Sequence, residues 1–182
     1  MLSPARVEDM PKDWSFDWPG LWQSADFDCQ SIVQLVYSDR IWGLVRYGLY
    51  PYPGTPKFIE IEQLETNPAS RGESAERLLV PIGKWLVWYS TKVGLHYCSK
   101  VSNESLIVLV SLPDAVAYYT DIVKMECVGP VTIAPGEDGY AFRFSRTAAT
   151  AFCHRQESEW GVPTLLDQRS GEGGDKSCDE SC

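Results

Sequence analysis

The fold is decided by Leu106-Ile-Val-Leu-Val110 and its continuation, Ser111-Leu-Pro-Asp-Ala-Val-Ala-Tyr-Tyr-Thr-Asp-Ile-Val-Lys-Met125. Five consecutive apolar residues predict a strand that is buried on both faces. Pro113 suits the first turn of a helix, because its missing N–H has no intrahelical partner there, and the Asp114 carboxylate favours the positive end of the helix dipole. We therefore expect a strand that leads directly into a helix beginning near Pro113.

Apolar residues recur within this expected helix at intervals of three and four: Ala115, Tyr118, Tyr119, Ile122 and Met125. That spacing predicts one apolar stripe packed against a sheet. Packing is the favoured interpretation for Tyr118. Tyr119 points about a quarter turn away on helical geometry, so a chemical role stays open for it.

Length and composition indicate one domain. The chain has 182 residues, of which 44% are hydrophobic, enough for a single full core. We expect a loose N-terminal segment over residues 1–12, a single domain over 13–165 and a disordered acidic tail over 166–182. The net charge of −9 argues against a nucleic-acid or anionic-membrane surface, because neutralising phosphates needs clustered Lys and Arg. Neither a signal peptide nor a membrane span is recognisable, which predicts a cytoplasmic protein.

Cysteine and histidine spacing predicts no disulfide framework and no metal site. Four cysteines have unrelated spacings and two lie in the polar tail: Cys29, Cys98, Cys127, Cys153, Cys178 and Cys182. Without a secretion signal, reduced thiols are expected. Neither histidine, His96 or His154, has a Cys or acidic partner at ligand spacing.

Strand signals precede the deciding stretch. Residues 31–37 and 41–50 predict a hairpin with a tight turn at Ser38-Asp39-Arg40, and 57–65 resume strand alternation. Before them, the aromatic segment 13–22 predicts short helical turns that cover an edge of the core.

Helical and strand signals also flank it on both sides. Apolar spacing predicts a helix over 75–93, with a kink at Pro81 and a stop at Gly94. Two further strands over 127–133 and 140–144, joined by a turn at 135–139, precede a closing helix over 146–160. The order predicts an α+β fold: a mixed, mostly antiparallel central sheet with helices on both faces.

Three places carry a resemblance to a known family: Phe58–Glu65 followed by Asn67-Pro68, Arg71-Gly72 before the Leu78-Leu79 helix, and Ser111–Met125 followed by Gly129-Pro130. Together they resemble a bacterial subgroup of the GNAT (N-acetyltransferase) superfamily, over roughly residues 30–160. The resemblance implies a central strand that splays from its neighbour, with free backbone amides that bind the pantetheine arm of acyl-CoA at Gln63, Leu64 and Glu65.

The resemblance also implies a pyrophosphate-binding turn before a helix, whose N-terminus suits an anion. It falls on Arg71, Gly72, Ser74 and Ala75, and it is degenerate, because Arg71 and Gly72 are adjacent and Glu73 intrudes. The family assigns the general acid to Tyr119, which would protonate the departing CoA thiolate. Glu60 and Glu62, which alternate with apolar residues, and Glu65 are the candidate bases, although alternating Glu is equally typical of a solvated sheet face.

The function expected from the resemblance is acyl-CoA-dependent N-acyl transfer, with acetyl-CoA as cosubstrate and an amine of a small molecule or a protein as acceptor. The acidic composition favours a cationic acceptor. An inactive GNAT-fold binding or regulatory protein is the alternative. A toxin-like enzyme acting on aminoacylated tRNA would need a basic patch that the composition does not show, so we expect no nucleic-acid and no membrane partner. A homodimer is left open.

Overall fold

A seven-stranded sheet forms the centre of the molecule. The computed structural model describes residues 1–50, 57–70, 79–98, 100 and 105–165. The strands are β1 (Leu2–Pro4), β2 (Gln30–Tyr37), β3 (Arg40–Tyr50), β4 (Phe58–Thr66), β5 (Ser105–Ser111), β6 (Glu126–Ala134) and β7 (Glu137–Ser145). They lie in the order β1-β2-β3-β4-β5-β7-β6, and β4 and β5 run parallel while the other neighbours are antiparallel. The predicted mixed, mostly antiparallel sheet is therefore confirmed.

Helices cover the two faces unequally. They are α1 (Trp18–Gln23), α2 (Ile82–Tyr97) and α3 (Arg146–Trp160), with a π-helical segment at Tyr118–Val123. The main core lies between the sheet and α2, α3 and the π-helical segment, and it contains Trp88, Phe142 and Phe144. A smaller core lies under α1. Among the described residues, none of the helices has the length and apolar character needed to cross a membrane.

The helix α2 corrects two expectations. It begins directly after Pro81, so the proline precedes the helix instead of kinking it. It also continues through Gly94 to Tyr97. A Cβ at Gly94 would lie 2.8 Å from Ile107 Cδ1 and 3.2 Å from Ile59 Cγ1. The glycine thus lets the helix lie close against β4 and β5, which apolar spacing alone does not reveal.

The N-terminus corrects a third expectation. Residues 1–12 were expected to be loose, yet β1 pairs with β2 and Leu2 is fully buried. Ala5 and Met10 belong to the smaller core together with Trp18 of α1. The Pro and polar residues obscured this strand, because a three-residue strand carries too little alternation to be recognised. The predicted tail, 166–182, lies outside the described residues.

Both predicted hairpins are confirmed. In the turn between β2 and β3, Ser38 and Asp39 have positive φ values of 50° and 56°, the conformation of a tight two-residue hairpin turn. The turn between β6 and β7 is shorter than expected, since only Pro135 and Gly136 separate the strands.

The deciding stretch forms a strand and a helical segment, but with different burial. Val110 is 45% exposed, so the expectation of a strand buried on both faces is wrong: α1 lies over β2 to β4 and leaves β5 open on that side. After a short turn of 3₁₀ helix at Pro113–Ala115, the segment Tyr118–Val123 is π-helical. A π-helical turn is wider than an α-helical one. Tyr119 and Val123 consequently face the core, whereas Ile122, which was expected in the stripe, is 51% exposed.

Candidate active site

A cleft opens between β4 and β5. The two parallel strands pair only over Ile59–Ile61 and Ile107–Leu109, although β4 continues to Thr66 and β5 to Ser111. On the other side, β4 stays paired with β3 through Thr66. The second half of β4 therefore has strand-paired backbone on one side and no described strand on the other.

A β-bulge in β4 lies where the two strands separate. Arg46 of β3 is opposite Gln63 and Tyr47 is opposite Ile61, so Glu62 is the additional residue. Bulges increase the local twist of a strand and redirect its side chains. The bulge accounts for the divergence of β4 from β5.

Two polar side chains in the diverging halves of the strands lack partners. Gln63 Oε1 and Ser111 Oγ are buried without a hydrogen bond. A buried polar atom left in this way costs about 1–3 kcal/mol. Such atoms are where a polar ligand that enters the cleft would restore the missing hydrogen bonds. The residues present thus fit the amide-bearing arm of an acyl-CoA.

The Glu62 carboxylate is fully engaged with its neighbours. Arg46 Nε lies 2.7 Å from Glu62 Oε2, and both side chains are largely buried. Glu62 Oε1 accepts hydrogen bonds from Gln30 Nε2, at 2.7 Å, and from the Tyr50 hydroxyl. Burial, followed by the hydrogen bond to Glu62, raises the pKa of Tyr50 to about 12. The Glu62 carboxylate is therefore held in place by Arg46, Gln30 and Tyr50.

Glu60, two residues earlier on β4, is in a different environment. Its carboxylate has no hydrogen bond or ion pair with any described residue. Burial, and then the nearby charge of Glu62, raise the pKa of Glu60 above its ordinary value. A half-buried carboxylate with a raised pKa and no described partner, such as Glu60, is a stronger base than one held by an ion pair and hydrogen bonds, such as Glu62.

Tyr119 lies on the other side of the sheet, in the main core. Its ring packs against Tyr118 and Phe142, with centroids 5.2 Å and 5.5 Å away. Burial raises its pKa to about 12, so the phenol stays protonated at neutral pH. Its hydroxyl has no hydrogen-bond partner among the described residues. Tyr118, by contrast, places its hydroxyl beside Gly83 in the first turn of α2.

Leu64 and Glu65 follow Gln63 toward the end of β4. Leu64 packs against the main core. The Glu65 side chain is 4% exposed and anchors the N-terminal segment: it accepts from Ser15 N at 2.7 Å, Phe16 N at 3.2 Å and Trp18 Nε1 at 2.7 Å. This carboxylate is occupied and is poorly suited to act as a base, while the backbone of both residues still borders the cleft.

The remaining predicted residues of the site, Arg71, Gly72, Ser74 and Ala75, lie outside the described residues. The chain that leads to them is well defined. Asn67 closes β4 by donating from Nδ2 to Ile41 O at 2.8 Å and accepting from Ala69 N at 2.9 Å.

Arg46 and its partner Gln30 are site residues that the sequence analysis missed. Arg46 Nη2 donates to Gln30 Oε1 at 2.9 Å. A signal was present, since one arginine interrupts the apolar run of β3. Its pairing with Glu62 depends on the bulge, which shifts the register by one residue and has no signature in a single sequence.

Comparisons with solved structures identify the fold. No protein-family model and no curated protein sequence matches the chain. Naa50 of Arabidopsis thaliana, in complex with the bisubstrate analogue CoA-Ac-MVNAL, is similar with a TM-score of 0.54 and 14% identity, over 80% of this chain and 97% of that one. The aminoglycoside 6'-N-acetyltransferase from Enterococcus faecium gives a TM-score of 0.54 and 16% identity, over 80% and 97%. A chain of the KacTA–DNA complex gives 0.52 and 12%, over 85% and 98%.

The chain accordingly has the fold of the GNAT acetyltransferases. The match covers 97% of each of these two structures.

Proposed function

We propose that this protein is an acyl-CoA-dependent N-acyltransferase that transfers an acetyl group from acetyl-CoA to an amine. The observation that carries the proposal is the cleft between β4 and β5 with an unpaired carboxylate, Glu60, at the last strand pairs before it opens. Two proteins with the same fold support it, since one is an aminoglycoside N-acetyltransferase and the other is in complex with a CoA–peptide bisubstrate analogue.

Acetyl-CoA, when bound, supplies a thioester carbonyl carbon that is open to attack by an amine. The backbone of Gln63, Leu64 and Glu65 would hold its pantetheine arm along the unpaired side of β4. The Gln63 and Ser111 side chains would regain hydrogen bonds in the same cleft. Arg71, Gly72, Ser74 and Ala75 are proposed for the pyrophosphate.

Glu60 is proposed as the base. An acceptor amine is protonated at neutral pH and must lose a proton before its nitrogen lone pair can attack. Glu60 accepts that proton, directly or through a water molecule, and passes it to solvent. The neutral amine then attacks, and Glu60 accepts the second proton that the nitrogen loses as the C–N bond forms and the C–S bond breaks. Glu62 is proposed to assist it as a fixed charge that keeps the Glu60 carboxylate basic.

Tyr119 is proposed as the acid. The thiolate that leaves as the C–S bond breaks takes a proton from the Tyr119 hydroxyl, which is protonated and has no competing partner. In the transfer step, Glu60 on β4 thus gains a proton from the amine, and Tyr119, in the helical segment after β5, gives a proton to sulfur.

Calorimetry with acetyl-CoA and an assay of thiol release over a panel of amines test the proposal. Glu60→Gln should bind acetyl-CoA as the wild type does and lose about 10²–10⁴-fold in turnover. Glu159→Gln, on the exposed side of α3, is the matched control and should change neither property. No binding of acetyl-CoA at millimolar concentration would refute the proposal. Binding without turnover of any amine would instead favour a binding or regulatory protein with this fold.

A further inference from the structure

A shallow cavity of about 280 Å³ lies on the open face of the sheet, at the edge of the cleft. It extends from β4 across β5 and β7 to β6, and its walls include Glu60, Val108, Val110, Val128, Ala141 and Arg143. The face is open because α1 covers only the β2–β4 part of the sheet. The cavity therefore offers room beside the proposed base for the body of an acceptor.

The cavity has one uncompensated charge. Two of its lining residues, Glu60 and Arg143, are ionisable. Arg143 is neutralised by a two-pronged pair with Glu126, in which Nε and Nη2 each donate over 2.9 Å. Glu62, the next carboxylate along β4, is neutralised by Arg46. Among the described residues, Glu60 is therefore a carboxylate without a cation to balance it.

Apart from Ser105, the remaining lining residues of the cavity are apolar, and two of them are exposed valines. Val110 is 45% exposed and Val128 is 59% exposed. Val128 is the additional residue of a bulge in β6, since Cys127 lies opposite Phe142 and Gly129 opposite Ala141. The two valines lie on the strands at either side of β7 and border one pocket, and exposed apolar side chains grouped in this way are typical of a ligand-binding surface.

We propose that this cavity binds the acceptor, and that the acceptor is a primary amine with a single positive charge and an apolar substituent. The proposal rests on the N-acyltransferase function proposed above. The ammonium group pairs with Glu60 at the edge of the cleft, and the apolar substituent lies over Val108, Val110 and Val128. Neighbouring strands are about 4.8 Å apart, so a substituent of four to six carbons reaches across β5 toward β7.

Charge distinguishes this acceptor from a polyamine or an aminoglycoside. A second ammonium group would lie over valine side chains or beside the Arg143 guanidinium, where it finds no free carboxylate among the lining residues. Placing a charge there removes its hydration without compensation. The cavity thus selects against the polycationic acceptors that the acidic composition favours.

Titration calorimetry with hexylamine and hexamethylenediamine tests the inference, because the two molecules differ only in a second ammonium group. Hexylamine should bind at least tenfold more tightly. From butylamine to hexylamine, each added methylene should tighten binding by up to about fourfold. Glu60→Gln should weaken hexylamine binding at least tenfold. Equal binding of the two hexyl compounds, or tighter binding of the diamine, would overturn the inference.

A substitution in the apolar wall provides a second, independent test. Val128→Asp places a carboxylate at an exposed position that packs little, so the variant should fold. It should weaken hexylamine binding and strengthen diamine binding, which reverses the preference. Retention of the wild-type preference in Val128→Asp would show that the cavity does not hold the substituent. Exposed Val162→Asp, far from the cavity on the segment after α3, is the control and should bind both amines as the wild type does.

The same chemistry occurs at the N-terminus of a peptide whose first residue is apolar. The tripeptide Leu-Gly-Gly is therefore compared with hexylamine in both binding and acetylation. Either molecule, preferred over the diamine, supports the acceptor class, and the tighter one identifies its source. These binding results separate the two proposals: acetyl transfer with a preference for diamines refutes the acceptor class alone, whereas hexylamine binding without acetyl-CoA binding refutes the proposed activity alone.

Discussion

Arg46 Nε lies 2.7 Å from Glu62 Oε2, and this ion pair divides two carboxylates of one strand between two roles. Glu62 is held and neutralised, while Glu60, two residues earlier, has no partner within the described part of the chain and has a raised pKa. A bulge, a buried arginine and the proposed base are thus parts of one arrangement.

Removal of Arg46 should destabilise the protein strongly. Arg46→Met leaves the buried Glu62 carboxylate without its cation, and breaking a buried pair in this way costs about 3–5 kcal/mol. Urea denaturation measures the free energy of unfolding. Arg143→Met breaks the exposed pair with Glu126 and is the control, for which we expect no measurable change. Similar losses in both variants would contradict a special role for the Arg46–Glu62 pair.

The pH dependence of turnover should report Glu60. The carboxylate acts as a base only when ionised, and its pKa is raised, so kcat/KM should rise with pH through a value above 4.5. The ionisable groups near Glu60 among the described residues are Glu62 on β4, Tyr50 on β3 and Arg143 on β7.

Glu62→Gln removes the negative charge that raises the pKa of Glu60, so this limb should move to lower pH. If Glu62→Gln lowers the maximal kcat/KM but leaves the pH of its rise unchanged, Glu62 stabilises the fold and does not affect the pKa of Glu60. Glu159→Gln, on the surface of α3, should leave both the limb and the plateau unchanged.

Loss of the Tyr119 hydroxyl should impair chemistry more than binding. Tyr119→Phe keeps the ring that packs on Phe142 and removes the proton donor, so turnover should fall by about 10²–10⁴-fold while acetyl-CoA binding is kept. Tyr118→Phe is the matched control and should retain most of the turnover. If the two variants lose turnover equally, the acid is not Tyr119.

Substitution of Gly94 should destabilise the protein although alanine favours helices. The added Cβ would press on Ile107 and Ile59, and overpacking of a core typically costs about 1–3 kcal/mol. Thermal unfolding of Gly94→Ala checks this. A more stable variant would follow the helix propensity of about 1 kcal/mol and would show that α2 lies farther from the sheet.

Local patterns in the sequence predict the strands and the closing helix, because alternation and turn residues are local signals. Contacts between distant segments are different. The bulge at Glu62, the helix α2 passing Gly94, and the Glu65 anchor for Trp18 depend on which strand lies beside which. The prediction that Ile122 belongs to the buried stripe is wrong for a related reason, because a π-helical turn has a different number of residues per turn from the α-helix that the prediction assumed.

In the candidate site, too, local patterns identify residues, whereas contacts between distant segments decide their roles. The family resemblance singles out Tyr119 as the acid, whereas Glu60, Glu62 and Glu65 come from the sequence as candidate bases that single-residue patterns cannot rank. Ranking the carboxylates requires knowledge of their partners. Those of Glu62 lie on β2 and β3 and are identified only in three dimensions.

The unequal cover of the sheet has a consequence for how such a protein can change over time. Val110 and Val128 contribute little to the core because they face outward, and exposed positions of this kind usually tolerate substitution at a cost within about 0.5 kcal/mol. Mutations there can accumulate without unfolding the chain. On this open face of β5, β7 and β6, substitutions can therefore alter the proposed preference for the acceptor. The helices on the opposite face meanwhile keep the core intact.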